Sequence, residues 1–426
     1  MDIHPIDFFT IFIVVFILTN IVLSKIYLTK IDFLLLITFH SSLVVSAVLY
    51  EGWIIDTKYV VAVLVMHLTF LAGMVLMHFS LPFKKIFAKS SFLTTKKRSD
   101  LVGAMLFFCV LFLIFNAVII ANFGLAILAE NPELYKTQFN REGLGYISRL
   151  SSAVGIPLFA LIFLTWRTCP NKYKIIPFAA IVIAALTGGK SILINLMFFW
   201  LIADIYKSKI LGERIRQSYM TIVGFTLLSL GFVIFVLYLS YGSALENISD
   251  DVLPLFMGRI STAPGLGVVT YLENINYFEH VMELNPISYL WNYIIVPLFA
   301  PLRLVDYPTT LNRETAIFIS GDDTYGPNLT VYGEAIAYFG VFFGCVYTFV
   351  IGCIISTMRY LAIYYAINLT PALGAVVFIS LYYSQHAFST DFLVTIGILQ
   401  SAFLGILIYY VFSLLSKIIK LSIAQK

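Results

Sequence analysis

Residues 241–330 carry ten of the chain's 23 acidic side chains but only three basic ones, Arg259, Arg303 and Arg313. Isolated arginines among acids suit a local anion site. Each can meet a phosphate through paired N–H donors, whereas the stretch as a whole repels anions. Arg141 precedes Glu142 and the flexible Gly143-Leu144-Gly145, and Lys190 follows Gly188-Gly189. Both could join that site, because glycine lets backbone N–H groups approach an anion closely. Structural roles are equally open to them: Arg141 can pair with Glu142 or Glu133, and Lys190 can snorkel at a helix end. For proton transfer the stretch offers His280, Glu273, Glu279, Asp250, Asp251 and Asp323, with Glu334 just beyond it. Histidine is the side chain that ordinarily titrates near neutrality, which favours His280 as a base. Asp250-Asp251 and Asp322-Asp323 could take a divalent cation or simply be solvated turns. Arg149, His386 and Asp391 form a second rank of candidates.

Several familiar chemistries are excluded. The chain has no Gly-x-Ser-x-Gly, no His-Glu-x-x-His and no dinucleotide fingerprint. Gly189-Lys190-Ser191 ends like a nucleotide-binding P-loop, but the glycine required six positions before the lysine is Ala184.

The elements that must position these residues are membrane spans. The chain of 426 residues is 60% hydrophobic and 12% charged, against about 25% charged in soluble domains. Its mean hydropathy is +0.93. The first apolar run lacks a basic lead and a small-residue cleavage site, so it reads as a retained span. Membrane-length runs cover residues 6–24, 33–50, 59–79, 101–122, 146–166, 219–240, 334–357, 371–384 and 392–415. Residues 175–206 are too long for one span and break at Gly188-Gly189-Lys190, giving two more. The pattern predicts an all-α polytopic protein of about eleven spans (10–12). Spans one to eight fill residues 1–240, a large loop follows at 241–330, and the C-terminal spans fill 331–426. Within the loop, residues 286–302 are apolar, aromatic and broken by Pro297 and Pro301, as in an interfacial or re-entrant segment.

Lysine and arginine set the orientation. With the N-terminus outside and the C-terminus cytoplasmic, 19 of the 27 basic residues fall on the cytoplasmic side. The long loop then faces outward. Cys109, Cys345 and Cys353 sit in apolar runs and Cys169 in a short basic loop, so no disulfide framework is implied for the large loop.

Three local patterns complete the picture. They are Arg141-Glu142-Gly143-Leu144-Gly145-Tyr146 before a span, Thr187-Gly188-Gly189-Lys190-Ser191 between two spans, and Gly326-Pro327-Asn328-Leu329-Thr330-Val331-Tyr332-Gly333-Glu334-Ala335 where the chain re-enters. Together with the architecture they resemble the Wzy-type oligosaccharide repeat-unit polymerases of the O-antigen and capsule family. The Arg-x10-Gly spacing of some members is absent here. The resemblance implies a GT-C-like membrane glycosyltransferase in a bacterial cytoplasmic (inner) membrane, inverting and working without metal or other cofactor. Its partners would be polyprenyl-diphosphate-linked glycan donor and acceptor and membrane lipids, with a chain-length regulator and a flippase nearby and no nucleic acid. Arg141, Lys190, Arg259, Arg303 and Arg313 would hold the diphosphate, and His280, Glu334 or Asp323 would activate the acceptor hydroxyl. Trp291, Tyr289, Tyr293, Tyr307 and Tyr325 could stack on sugars or anchor the interfacial segment. A glycan ligase shares this architecture. A lipid-linked oligosaccharide flippase is the competing class, and it would be expected to show paired broken helices.

Overall fold

The computed structural model describes residues 5–87, 98–125, 145–187, 192–215, 220, 223–224, 227–228, 231, 263–296, 310–321, 329–390 and 392–424. Among them there are helices and turns but no strand. The helices run α1 (Pro5–Leu23), α2 (Leu34–Tyr50), α3 (Thr57–Ser80), α4 (Phe83–Phe87), α5 (Arg98–Phe123), α6 (Gly145–Thr165), α7 (Ile175–Thr187) and α8 (Ile192–Lys209). After the loop come α9 (Ala263–Glu273), α10 (Ile275–Val281), α11 (Pro286–Leu290), α12 (Leu311–Ser320), α13 (Thr330–Asn368), α14 (Pro371–Ser384) and α15 (Phe392–Ala424).

Among the described residues, six stretches are long and apolar enough to cross a bilayer: Asp7–Ile26, Thr57–Ser80, Asp100–Phe123, Gly145–Thr165, Thr330–Asn368 and Val394–Ile418. These make the chain a membrane-embedded helical protein. The 17-residue α2 is apolar but shorter. α1 is apolar all round and leaves Ile13, Val14, Ile17, Leu18 and Ile21 exposed, a surface suited to lipid. The expected spans at 175–187 and 371–384 form helices of 13 and 14 residues. At 1.5 Å per residue each covers only about 20 Å, short of a ~30 Å hydrocarbon core. α14 is nearly all buried, so protein rather than lipid surrounds it.

The side chains form two cores. One gathers α5, α6, α8 and α14 around Phe108, Phe159, Tyr206 and Phe378. The other gathers α1 to α3, the loop helices and the start of α13 around Met66, Phe70, Phe278 and Tyr332. α13 joins them through a close packing on α3. A Cβ added at Gly352 would lie 2.2 Å from the Phe70 carbonyl oxygen, and one at Gly73 equally 2.2 Å from that of Phe349. Only hydrogen fits at either position, so the two backbones touch, as small residues permit in membrane helix pairs. Thr69 and Thr348 hydroxyls meet at 2.8 Å and Ser356 Oγ donates to the Met74 carbonyl at 2.6 Å, completing the contact.

α13 is not one rod. Gly340 has φ 69° and ψ −178°, a region that is essentially glycine's alone, and it divides residues 330–339 from 341–368. The span expected at 334–357 is corrected accordingly: the long limb starts after Gly340. Hydropathy hides this break because both sides are apolar. The short limb doubles back, with the Ala335 carbonyl oxygen 3.1 Å from where a Cβ on Gly344 would sit.

Below the cores a buried ion pair ties four segments together. Arg359 and Asp32 are both fully buried, with Nη2 to Oδ2 at 3.3 Å. Arg359 also donates to the Ile26 carbonyl at 3.2 Å and to the Tyr382 hydroxyl at 3.3 Å. Asp32 accepts further bonds from the backbone N–H of Leu28 (2.6 Å) and Leu34 (2.9 Å) and from Tyr382 (3.4 Å). Arg359 counts as a cytoplasmic-side cation by sequence, yet its charge is spent inside the fold.

Candidate functional site

The short limb of α13 carries the one sequence candidate that the described fold surrounds completely. Its first residue, Thr330, has φ 56°, in the left-handed region that a β-branched residue rarely adopts. Thr330 is buried, and its hydroxyl has no hydrogen-bond partner among the described residues. Leu329 N–H donates to Asn312 Oδ1 at 3.2 Å, which pins the limb's start to α12. Tyr332 then reaches His67 Nδ1 at 2.7 Å, and the other nitrogen of that ring meets Thr19 Oγ1 at 2.9 Å. His67 lies ten residues into α3, so the limb begins about 15 Å below that helix's start. The limb therefore starts alongside the middle of α3, and the Tyr332 hydroxyl is met there by His67, whose ring is held in turn by Thr19 of α1.

Glu334 sits half-way up the limb with no exposed surface. Its Oε1 accepts from the backbone N–H of Phe392, the first residue of α15, at 3.1 Å. Its Oε2 accepts from the Tyr289 hydroxyl at 3.3 Å. Tyr289 in turn meets the Tyr347 hydroxyl at 2.6 Å, on the long limb of α13. Tyr289 thus joins Tyr347 to Glu334 in one line of hydrogen bonds. Tyr347 is half-buried, so the line runs from a partly exposed tyrosine to an enclosed carboxylate.

The aromatic rings hold this line in place. Tyr289 stacks on Tyr293 with centroids 4.9 Å apart and packs against Tyr338 (5.0 Å) and Phe392 (5.4 Å). Phe339 stacks on Tyr347 at 4.8 Å. Tyr293 accepts from the backbone N–H of Leu311 at 3.2 Å. These contacts correct one expectation: Tyr289 and Tyr293 are buried, so neither presents a face to a sugar. Of the segment expected at 286–302, residues 286–296 are described: they turn those two rings inward from α11 and the π-turn Trp291–Ile295, and leave Ile287, Leu290 and Trp291 exposed. π-turns are rare and recur at functional sites.

The other candidates fall as follows. His280 stands exposed on α10, and Arg313 is half-buried on α12, whose start Thr310 caps by accepting from the Arg313 backbone N–H at 3.4 Å. Arg149 donates to Gln400 Oε1 of α15, which gives it a helix-joining role. His386 is not at an open outer turn. Its ring packs on Phe33 and Tyr383, and Nδ1 meets the Tyr383 carbonyl. Arg141, Lys190, Arg259, Arg303, Asp323 and Asp391 lie outside the described residues, as do Asp250, Asp251, Asp322, Tyr307 and Tyr325. The relay tyrosine Tyr347 carries no signal in the sequence, where it is one of 26 tyrosines in an apolar run.

Chemically, the arrangement can take a proton from a group at Tyr347 and deliver it to Glu334. Comparison with protein-family models, with curated proteins and with solved structures finds no match for this chain.

Proposed function

We propose that this chain is a membrane glycosyltransferase that extends polyprenyl-diphosphate-linked oligosaccharides at the outer face of a bacterial cytoplasmic membrane. The fold in this reading is GT-C-like with about eleven spans, the N-terminus outside and the large loop over the outer leaflet. The observation that carries it is the hydrogen-bonded line Tyr347–Tyr289–Glu334, which joins the long limb of α13 to its short limb through α11. Extension requires an acceptor hydroxyl to lose its proton as its oxygen attacks the anomeric carbon. In the proposal that proton passes to Tyr347, the Tyr347 proton to Tyr289, and the Tyr289 proton to Glu334. The new C–O bond forms as the bond to the diphosphate breaks, with inversion, and the diphosphate leaves with the electron pair. Arg141, Lys190, Arg259, Arg303 and Arg313 are the proposed clamp that stabilises this leaving group. A chain-length regulator and a flippase would work beside it.

The broken helix itself favours a second reading, a lipid-linked oligosaccharide flippase, since transporters build sites from discontinuous helices. One experiment separates these. The gene is deleted and the surface glycan is resolved by length on a gel. A polymerase's loss leaves single repeats, a ligase's loss leaves polymer uncoupled from its final acceptor, and a flippase's loss leaves no glycan outside. Unchanged glycan length would remove the polymerase reading. Triple replacement of Arg141, Lys190 and Arg259 by alanine, with normal polymer, would remove the diphosphate clamp.

A further inference from the structure

On the side of α11 away from Glu334 the chain forms a cleft of about 620 Å³, within the usual range for small-molecule sites, about 300–1,000 Å³. Its walls include Glu283, Asn285, Ser288, Trp291, Asn292 and Glu314, with no lysine or arginine among the described lining residues. Two features make it a formed site. The first is a capping box: Asn285 Oδ1 accepts from the backbone N–H of Ile287 and Ser288, both at 2.9 Å, and Ser288 Oγ accepts from Asn285 N–H at 3.2 Å. Asn285 Nδ2 donates to Glu283 Oε1 at 2.9 Å, which fixes that carboxylate at the rim. The second is Trp291, 53% exposed where the π-turn begins. It stands two residues from Tyr289, so one short stretch presents a buried phenol to Glu334 and an open indole to the cleft.

The chemistry of the lining selects a ligand. An exposed indole offers a flat apolar face that suits the C–H face of a pyranose, and its N–H is a further donor. Carboxylates and the Asn292 amide accept and donate to hydroxyls. Two glutamates, with no lysine or arginine among the described lining residues, repel carboxylate, sulfate and phosphate groups and attract an ammonium.

We propose that this cleft seats the acceptor glycan's sugars just behind its terminal residue, whose hydroxyl is left to meet Tyr347, and that the seated sugars are neutral or amino sugars rather than acidic ones. The proposal rests on the glycosyltransferase reading and adds to it the place and charge class of the acceptor. It also gives α11 a linking role, since acceptor held at Trp291 lies one helical face away from the phenol that contacts Glu334.

A photoreactive phenylalanine analogue in place of Trp291, irradiated in living cells, tests it directly. Adducts that stain as glycan support the proposal; adducts with phospholipid, or none, overturn it in favour of a bilayer anchor. Chain-length gels on Trp291→Ala, Trp291→Phe and Glu283→Lys/Glu314→Lys follow. The alanine variant is expected to need about tenfold more acceptor for equal extension, a change of about 1.4 kcal/mol, with the phenylalanine variant near normal. The double lysine variant should shorten chains as well. Normal chains from the alanine and double lysine variants, alongside a block by Glu334→Gln, would sink the subsite and leave the enzyme reading standing. Normal chains from Glu334→Gln and from gene deletion would end both. Composition analysis of the repeat unit gives the last arm: an acidic sugar just behind the terminal residue of its acceptor end contradicts the proposal.

Discussion

The molecule buries two carboxylates, Asp32 and Glu334, in opposite ways. Asp32 meets a fully buried arginine, two backbone N–H groups and a tyrosine, and each of its oxygens is engaged by two donors. Every line from it ends inside the protein. Glu334 meets a backbone N–H and a phenol, and the phenol leads on to a second, half-buried phenol. The difference teaches where to look for chemistry in a membrane interior. A buried acid saturated by an arginine is a fastener, whereas one joined to the surface by mobile protons can work. A perturbed environment alone does not separate them.

The comparison breaks most severely at the fastener. Arg359→Ala leaves Asp32 charged, buried and short of its partner, and should cost about 3–5 kcal/mol. Thermal unfolding of the purified protein in detergent would show it, and Asp32→Asn combined with Arg359→Met should restore most of the loss. If Arg359→Ala melts like the parent, Asp32 is not held as described. At the other acid the expectation reverses. Glu334→Gln keeps the size of the side chain and an oxygen for Phe392 N–H, so the melting temperature should hold. Glycan extension in isolated membranes should nevertheless fall about 10²–10⁴-fold, the usual weight of a general base. Equal rates for the two proteins would dismiss Glu334 from the reaction.

Smaller changes sharpen the contrast. Gly340→Ala forces a Cβ into a backbone region that excludes it and should cost about 1–3 kcal/mol. The short limb would shift with it, so extension should drop more than stability does. Tyr347→Phe removes the outer hydroxyl of the line and leaves the rings in contact. We expect about tenfold slower extension, with general-base catalysis still available through Tyr289. A drop as deep as that of Glu334→Gln would mean that Tyr347 itself takes the acceptor proton without relay.

Much of the scaffold was legible from residue order. Unbroken apolar runs mark helices because a lipid-facing segment must satisfy its own backbone, and six of them reach membrane length in the structure. The division of residues 175–206 was readable too, since α7 and α8 lie on either side of the glycine pair. What was not legible is the bend at Gly340: a glycine in a run of apolar residues looks the same whether its φ is negative or positive. His386 and Arg149 misled for a related reason. Polarity in an apolar stretch signals a partner, but it does not say whether the partner is a substrate or Gln400.

Composition and the placing of lysine and arginine determined by themselves that this is a membrane-embedded helical chain, because burial in lipid follows from side-chain chemistry averaged over each run. Residue type and position also put Glu334, at the start of an apolar run, among several candidates for a base. Only the tertiary structure decided what surrounds it. Tyr289, Tyr347 and Phe392 come from segments 45, 13 and 58 residues away, and hydrogen bonds between such distant positions exist only once α11, both limbs of α13 and α15 have packed.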